Sequence, residues 1–371
     1  MSPVTSVANR AARLAWLALA ACGAPQATTA PEVPPAGQLA SGGTVRVELA
    51  GDRIARLPAI ATPAGAGAAT WLWPPIIDSH VHLTYWPVAD ELARSGIAAV
   101  VDLAAPEATL DAAPDAHGTP APDAHGDAAP GAHGTPALHV LAAGPMLTHP
   151  GGYPLSSWGR DGYGLPCRDP AEVTAAIDRL ARRGARVIKL ALDDDGLDPA
   201  LIPVAVAAAH ARHLKVAVHA LGDASAAAAG RAGVDLLAHT PVEPLADATV
   251  ALWRGRAVIS TLAAFGGRPA AIDNLRRLRA AGATILYGTD LGNTRIAGPN
   301  PDEIALLRRA GLDDAAITDA MTTAPAAYWS LPFTVSATAE ASFLVLDADP
   351  RRDATTLLAP RAIWLRGHRL R

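Results

Sequence analysis

Short apolar runs recur along the chain at 76–81, 98–105, 138–144, 186–192, 215–221, 235–240, 257–264 and 284–290. Between most of them lie Ala- and Arg-rich stretches with helical spacing, such as PAEVTAAIDRLARRGA, PVAVAAAHARH and AAIDNLRRLRAAG. Brief apolar runs alternating with helices point to parallel strands joined by crossovers. Eight such units predict an α/β fold, a TIM-like (β/α)8 barrel over residues 76–334, with functional groups gathered at the C-terminal strand ends. Two outer segments follow a different rhythm. GTVRVELAGDRIARL alternates apolar and polar residues around Gly51-Asp52, a hairpin signal, and SFLVLDA with AIWLRGHRL forms a matching pair at the far end. They predict a small β-sandwich built from residues 44–75 and 335–371.

The remaining segments cannot build a core. Arg10 and Arg13 precede LAWLALAA, and LAAC at 19–22 resembles the lipobox of bacterial lipoproteins, in which the cysteine becomes the lipidated first residue. Residues 1–22 therefore read as a lipoprotein-type signal with Cys22 as lipidation site, the alternative being an ordinary secretory signal. The apolar run is too short to span a bilayer. Either reading implies an exported protein of the bacterial cell envelope, touching a membrane only through a lipid anchor. Residues 23–43, rich in Pro, Ala, Gly and Thr, read as a flexible tether. Residues 106–136 hold APDAHG, APDAHG and APGAHG at a period of eight. This low-complexity insertion between strands two and three keeps His117, His125 and His133 outside the expected site.

Composition narrows the function. Half the residues are apolar and 18% charged, enough for a sizeable core, and a net charge of −4 offers no footprint for nucleic acid. The expected partner is a small-molecule substrate. With Cys22 acylated, Cys167 in GLPCRDP is the one thiol left, either reactive or an inert loop cysteine.

The candidate chemistry sits where the apolar runs end. In IIDSHVHL, His80 and His82 lie two residues apart on a strand and point the same way, so both imidazoles can reach one metal ion. In order follow Lys189 in RVIKLAL, His219 in KVAVHAL, His239 in DLLAHT and Asp290 in TILYGTD. Imidazole and carboxylate are the usual ligands of zinc and its neighbours. Lysine is the odd member. As an ammonium it cannot ligate and reads as a strand-end group reaching solvent or a substrate carboxylate; carboxylated by CO2 it becomes an anionic carbamate. Asp78 is either support for a histidine or a plain strand-end aspartate.

This ordered set resembles the amidohydrolase superfamily, metal-dependent hydrolases built on a (β/α)8 barrel with a flanking β-sandwich. GLDDAAITDAMTTAPAAYWSL is similar to the family's helix after strand eight, and FLVLDADP to its closing strand. Lys189 after strand four and GGYP at 151–154 look most like the prolidase-like and imidazolonepropionase-related branch. The resemblance implies two divalent metal ions, zinc first among them. His80, His82 and Asp290 would hold one, His219 and His239 the other, and a CO2-derived carbamate on Lys189 would bridge them. It also implies hydrolysis of amide, peptide-like or cyclic amide C–N bonds by a bridging hydroxide, with Asp290 moving the proton. The alternatives are an esterase, lactonase or phosphotriesterase on the same site, or an inactive surface-binding lipoprotein. A mononuclear deaminase fits less well, since Ala220, Leu221, Gly222, Asp223 and Ala224 offer no glutamate after His219.

The chain departs from the family at Pro74-Pro75, at Tyr153 where a histidine is common, and at Ser342 where aspartate is common. Substrate selection falls to loops, with Tyr153, Arg295 and, in SSWGRDGYGLP, Trp158, Arg160 and Tyr163 as candidates. Arg295 has the fork to bind a substrate carboxylate bidentately.

Overall fold

The structure, a computed structural model, describes residues 35–61, 70–110, 126–127, 138–193 and 195–371. Residues 1–34, with the signal-like segment and Cys22, lie outside the described residues, as do His117, His125 and His133.

Each apolar run contains a strand: β1 (Ile76–Val81), β2 (Ile97–Asp102), β3 (His139–Ala142), β4 (Val187–Ala191), β5 (Lys215–His219), β6 (Leu236–Leu237), β7 (Ala257–Ile259) and β8 (Thr284–Leu286). Strands β1, β2 and β3 pair in parallel, as do β4 to β8. The fold is therefore mixed α/β, with its parallel strands in two sheets. The single closed ladder expected from the periodicity is not what the sheets show. One break lies at Gly144, whose φ of +72° turns the chain before it resumes as Met146–Thr148, which pairs with β4. The other follows β8, where the chain leaves regular geometry and Asp290 takes a φ of +54°. Isolated bonds cross this second gap. Ser79 N–H donates to Tyr287 O, His82 N–H to Leu291 O and Asp290 N–H to His80 O, at 2.9, 2.6 and 2.9 Å. They tie the segment after β8 to β1, bringing Asp290 beside His80 and His82.

The helices show why the alternating stretches fold as they do. In Pro170–Arg182, Asp169 accepts from the N–H groups of Ala171 and Glu172, proline takes the first turn, and Val173, Ala176, Ile177 and Leu180 are buried. A cap, a starter and an i, i+3, i+4, i+7 apolar face agree on one helix.

Strands from both ends of the chain form a separate six-stranded sheet, ordered His368–Arg369, Ala362–Leu365, Phe343–Leu346, Trp71–Trp73, Ala36–Gln38, Thr44–Arg46. Its apolar cluster includes Val45, Ile54, Leu72, Phe343 and Trp364. Residues 36–38, read from composition as tether, are strand. Gly37 lets the backbone approach Thr70 O so closely that an added Cβ would sit 2.9 Å from it, a contact that composition does not signal.

Glu303, on the helix Pro301–Arg309, is fully buried and accepts from the N–H groups of Leu262 and Ala263 at 3.0 and 2.7 Å. Burial pushes its carboxyl up to about 7. A folded-state value above the unfolded one gives stability that is present below the unfolded pKa and lost as pH rises through about 7. Glu303→Gln should flatten this part of the curve. In urea unfolding of metal-free protein at pH 5 and pH 8, wild type is expected to lose roughly 3 kcal/mol more than the variant across that interval. Equal losses would show that Glu303 stays ionised in the fold.

Candidate metal centre

His80 lies on β1 and His82 one residue beyond it; Lys189 is on β4, His219 ends β5, and His239 and Asp290 follow β6 and β8. All six are buried. Asp290 Oδ1 lies 3.1 Å from His82 Nε2 and 3.5 Å from His80 Nε2. The ligand atoms of these three residues all fall within 4.8 Å of one another. The His239 ring is 4.4 Å from that of His80 and 4.9 Å from that of His219, centroid to centroid. Lys189 acts electrostatically on His80, His219 and His239, and Asp290 on Lys189, so the amine lies among them.

The donors suit a divalent ion. Atoms bound at about 2.0–2.2 Å to one tetrahedral or octahedral centre lie roughly 3.0–3.5 Å apart, the spacing of Asp290 Oδ1 from each of the two imidazole nitrogens. His80 Nε2 is buried with no hydrogen-bond partner, a costly state unless something else takes its lone pair. The other face of that ring explains its orientation. His80 Nδ1 is 2.7 Å from Ala238 O, an acceptor, so Nδ1 carries the hydrogen and Nε2 turns a lone pair toward Asp290. His239 Nδ1 is held 3.0 Å from the Thr261 hydroxyl, which fixes the orientation of that ring. Burial keeps the imidazoles of His80, His219 and His239 neutral, the ligating form. It holds His80 and His239 well below the ordinary histidine value and lowers His219 to about 3, with Lys189 adding to the shift in each. Burial also lowers the Lys189 amine to about 7, against the opposing pull of Asp290.

Asp78 bonds no imidazole among the described residues. It accepts from His80 N–H at 3.1 Å and from the N–H and hydroxyl of Thr289 at 3.0 and 2.5 Å, clamping β1 to the segment that carries Asp290. Burial raises its carboxyl to about 7. Two glycines allow the same close approach. A Cβ on Gly288 would lie 2.4 Å from Ile259 Cγ2 and 3.1 Å from His80 Cβ; one on Gly292, at φ +110°, would lie 2.8 Å from His82 Cβ. Gly292→Ala should therefore shift His82 and weaken zinc binding about tenfold or more in competition with a chromophoric chelator. An unchanged affinity would exclude His82 from the ligand set.

Several supporting groups carry no local sequence signal. Thr261 and the Ala238 carbonyl orient imidazoles from neighbouring strands. Asp193 accepts from Leu221 N–H and from Ser225 Oγ, the latter at 2.7 Å, and lies 4.0 Å from His219 Nε2. Asp102 ends β2, is buried, accepts from Thr84 and Ala104, and acts electrostatically on His82. Its place at a strand end, closing VVD, was the one available clue.

The loop candidates separate. Tyr153 stacks on His219, with ring centroids 4.6 Å apart. Arg160 is exposed and donates to the Leu155 carbonyl at 3.4 Å, so it is not brought to the cluster. Arg295 is exposed and lies over the rings of Tyr85 and Trp86. Cys167 is buried and burial pushes its thiol up to about 11, which fits the inert reading.

No family model matches the chain. An uncharacterized protein of Mycobacterium tuberculosis (strain ATCC 25618 / H37Rv) is 25% identical over 353 residues, covering 83% of this chain and 89% of the relative. Among solved structures, a Xaa-Pro dipeptidase with bound methionine in the active site superposes with a TM-score of 0.68 at 19% identity, covering 88% of this chain and 94% of that one. The ochratoxinase of A. niger gives 0.66 at 18%, covering 89% and 91%. A bottromycin amidohydrolase gives 0.66 at 19%, covering 88% and 82%. The chain thus has the fold of these proteins.

Proposed function

We propose that this protein is a metal-dependent hydrolase of the amidohydrolase superfamily that cleaves C–N bonds of amide or peptide-like substrates. The observation that carries the reading is the buried His80–His82–Asp290 cluster, ringed by His219, His239 and Lys189 at the ends of parallel strands. Fold neighbours that include a dipeptidase and an amidohydrolase support it. In this reading the eight strands are a (β/α)8 barrel whose seams are the breaks at Gly144 and beyond β8.

His80, His82 and Asp290 would hold one divalent metal ion, probed first as zinc, and His219 and His239 a second, with a carbamate on Lys189 between them. Bound there, the ions would lower the pKa of a water molecule and polarise the scissile carbonyl. The chain does the rest. The lowered pKa of Lys189 keeps its amine neutral in mild base, and the neutral amine is the form that adds to CO2. Asp290 faces the centre of the cluster and takes a proton from the attacking water as general base. It then returns that proton to the departing nitrogen. The Ala238 carbonyl holds His80 to one tautomer and the Thr261 hydroxyl fixes the orientation of the His239 ring, so neither ring needs to turn. The rings of Tyr153 and Trp158 cover His219 and His82 and exclude bulk water from that side. The test is a hydrolysis screen of dipeptides and N-acyl amino acids with protein expressed in zinc and bicarbonate. Zinc-dependent release of an amine supports the reading; its absence across the screen, with esters and lactones hydrolysed instead, would move the assignment to a C–O hydrolase.

A further inference from the structure

Aromatic residues are scarce in this chain, yet three of its five tyrosines meet at the mouth of the metal centre. Trp158 lies 4.9 Å from the His82 ring, 5.3 Å from Tyr85 and 5.5 Å from Tyr163, and its indole N–H donates to the Tyr153 hydroxyl at 3.1 Å. Tyr153 in turn stacks on His219. These rings therefore border both halves of the histidine cluster. They are also open: Trp158 and Tyr153 are half-buried, and Tyr85 is 38% exposed. Only one other large apolar side chain is as exposed among the described residues, and it is Ile296, next to Arg295. The Arg295 guanidinium sits 5.6 Å from the Tyr85 ring and 5.1 Å from Trp86, and pairs with no carboxylate among the described residues. The loop that carries it begins at Asp290, whose carbonyl accepts from Thr294 N–H at 2.9 Å.

An exposed apolar surface and an unneutralised cation held on ring faces are both features that a ligand would satisfy. The geometry points to a specificity site in which Trp158 and Tyr85 stack a flat apolar group of the substrate and Arg295 binds its free carboxylate. The substrate class is then an amide that bears an aromatic group and a carboxylate, such as an N-acylated aromatic amino acid. The assignment rests on the hydrolase reading for the scissile bond, while the binding surface itself stands on the aromatic and guanidinium geometry. The rings set affinity for the planar group, and the guanidinium fork sets discrimination against neutral analogues.

Binding of compounds that cannot be hydrolysed separates the two ideas. 3-Phenylpropanoate, 3-phenylpropan-1-ol and butanoate would be titrated calorimetrically against the full chain, with and without zinc. The aromatic acid should bind at least tenfold more tightly than either the alcohol or butanoate. Arg295→Met should lower its affinity about tenfold and leave the alcohol unchanged; Trp158→Leu should remove the advantage over butanoate, and Trp158→Phe should retain most of it. Equal binding of acid and alcohol by wild type, or an Arg295→Met variant that still separates them, overturns the assignment. Turnover of N-acetyl-L-phenylalanine by the zinc-loaded chain is read beside it. No turnover with the binding pattern intact refutes the hydrolase reading alone, whereas turnover without that pattern refutes the specificity site alone.

Discussion

Replacing Asp290 with asparagine is expected to lower amide hydrolysis by about 10²–10⁴-fold, the range for a lost general base. The variant should fold as wild type does. Asp290 holds a φ of +54°, a conformation that asparagine shares with aspartate at little cost. Its backbone bonds, from its own N–H to His80 O and from the N–H groups of Asn293 and Thr294 to its carbonyl, do not involve the side chain. The amide oxygen can still accept from Asn293 Nδ2, which lies 3.1 Å from Oδ1. Steady-state kinetics with circular dichroism checks both halves. Turnover within tenfold of wild type, in a folded and zinc-loaded variant, would remove Asp290 from proton transfer.

Lys189→Ala should produce the second large effect: zinc content falling from two equivalents to one or none, with turnover lost. Lys189 is buried, with Asp290 acting on its amine electrostatically. A cation there would repel a metal, so the residue belongs in a metal site only as an anion. The alanine variant lacks that anion but keeps the cavity, and a small carboxylate such as acetate should restore part of the metal and part of the rate. Elemental analysis of both proteins, grown with zinc and bicarbonate, gives the stoichiometry. One equivalent that ignores the substitution would mean a single-metal enzyme without a bridging lysine. No metal in either protein would favour the inactive binding lipoprotein.

Both experiments rest on residues that stand out in the sequence for a physical reason. A strand repeats every two residues, so His80 and His82 must share a face, and each apolar run advertises its own strand because burial on both sides demands it. Lys189, His219, His239 and Asp290 were legible because each closes or interrupts such a run. The breaks in the sheets were not. Gly144 and the left-handed Asp290 change the backbone path without changing the apolar pattern, so the periodicity predicted one closed ladder where the structure has two sheets. Nor did composition separate tether from strand at residues 36–38, because pairing with Thr44–Arg46 and Trp71 depends on neighbours supplied from elsewhere in the chain.

The sequence by itself determined the order of the strands, the helical faces between them and the chemical types of the six clustered side chains. These follow from spacing between near neighbours. Only the tertiary structure decided which atoms of those side chains meet. The Asp78–Thr289 clamp, the Ala238 carbonyl behind His80 and the Thr261 hydroxyl behind His239 join residues on different strands. It also drew Tyr85, Tyr153, Trp158 and Arg295 to one mouth and left Arg160 outside. Local periodicity carries no information about such pairs, because a hydrogen bond across strands depends on where two distant segments are brought by the packing of everything between them.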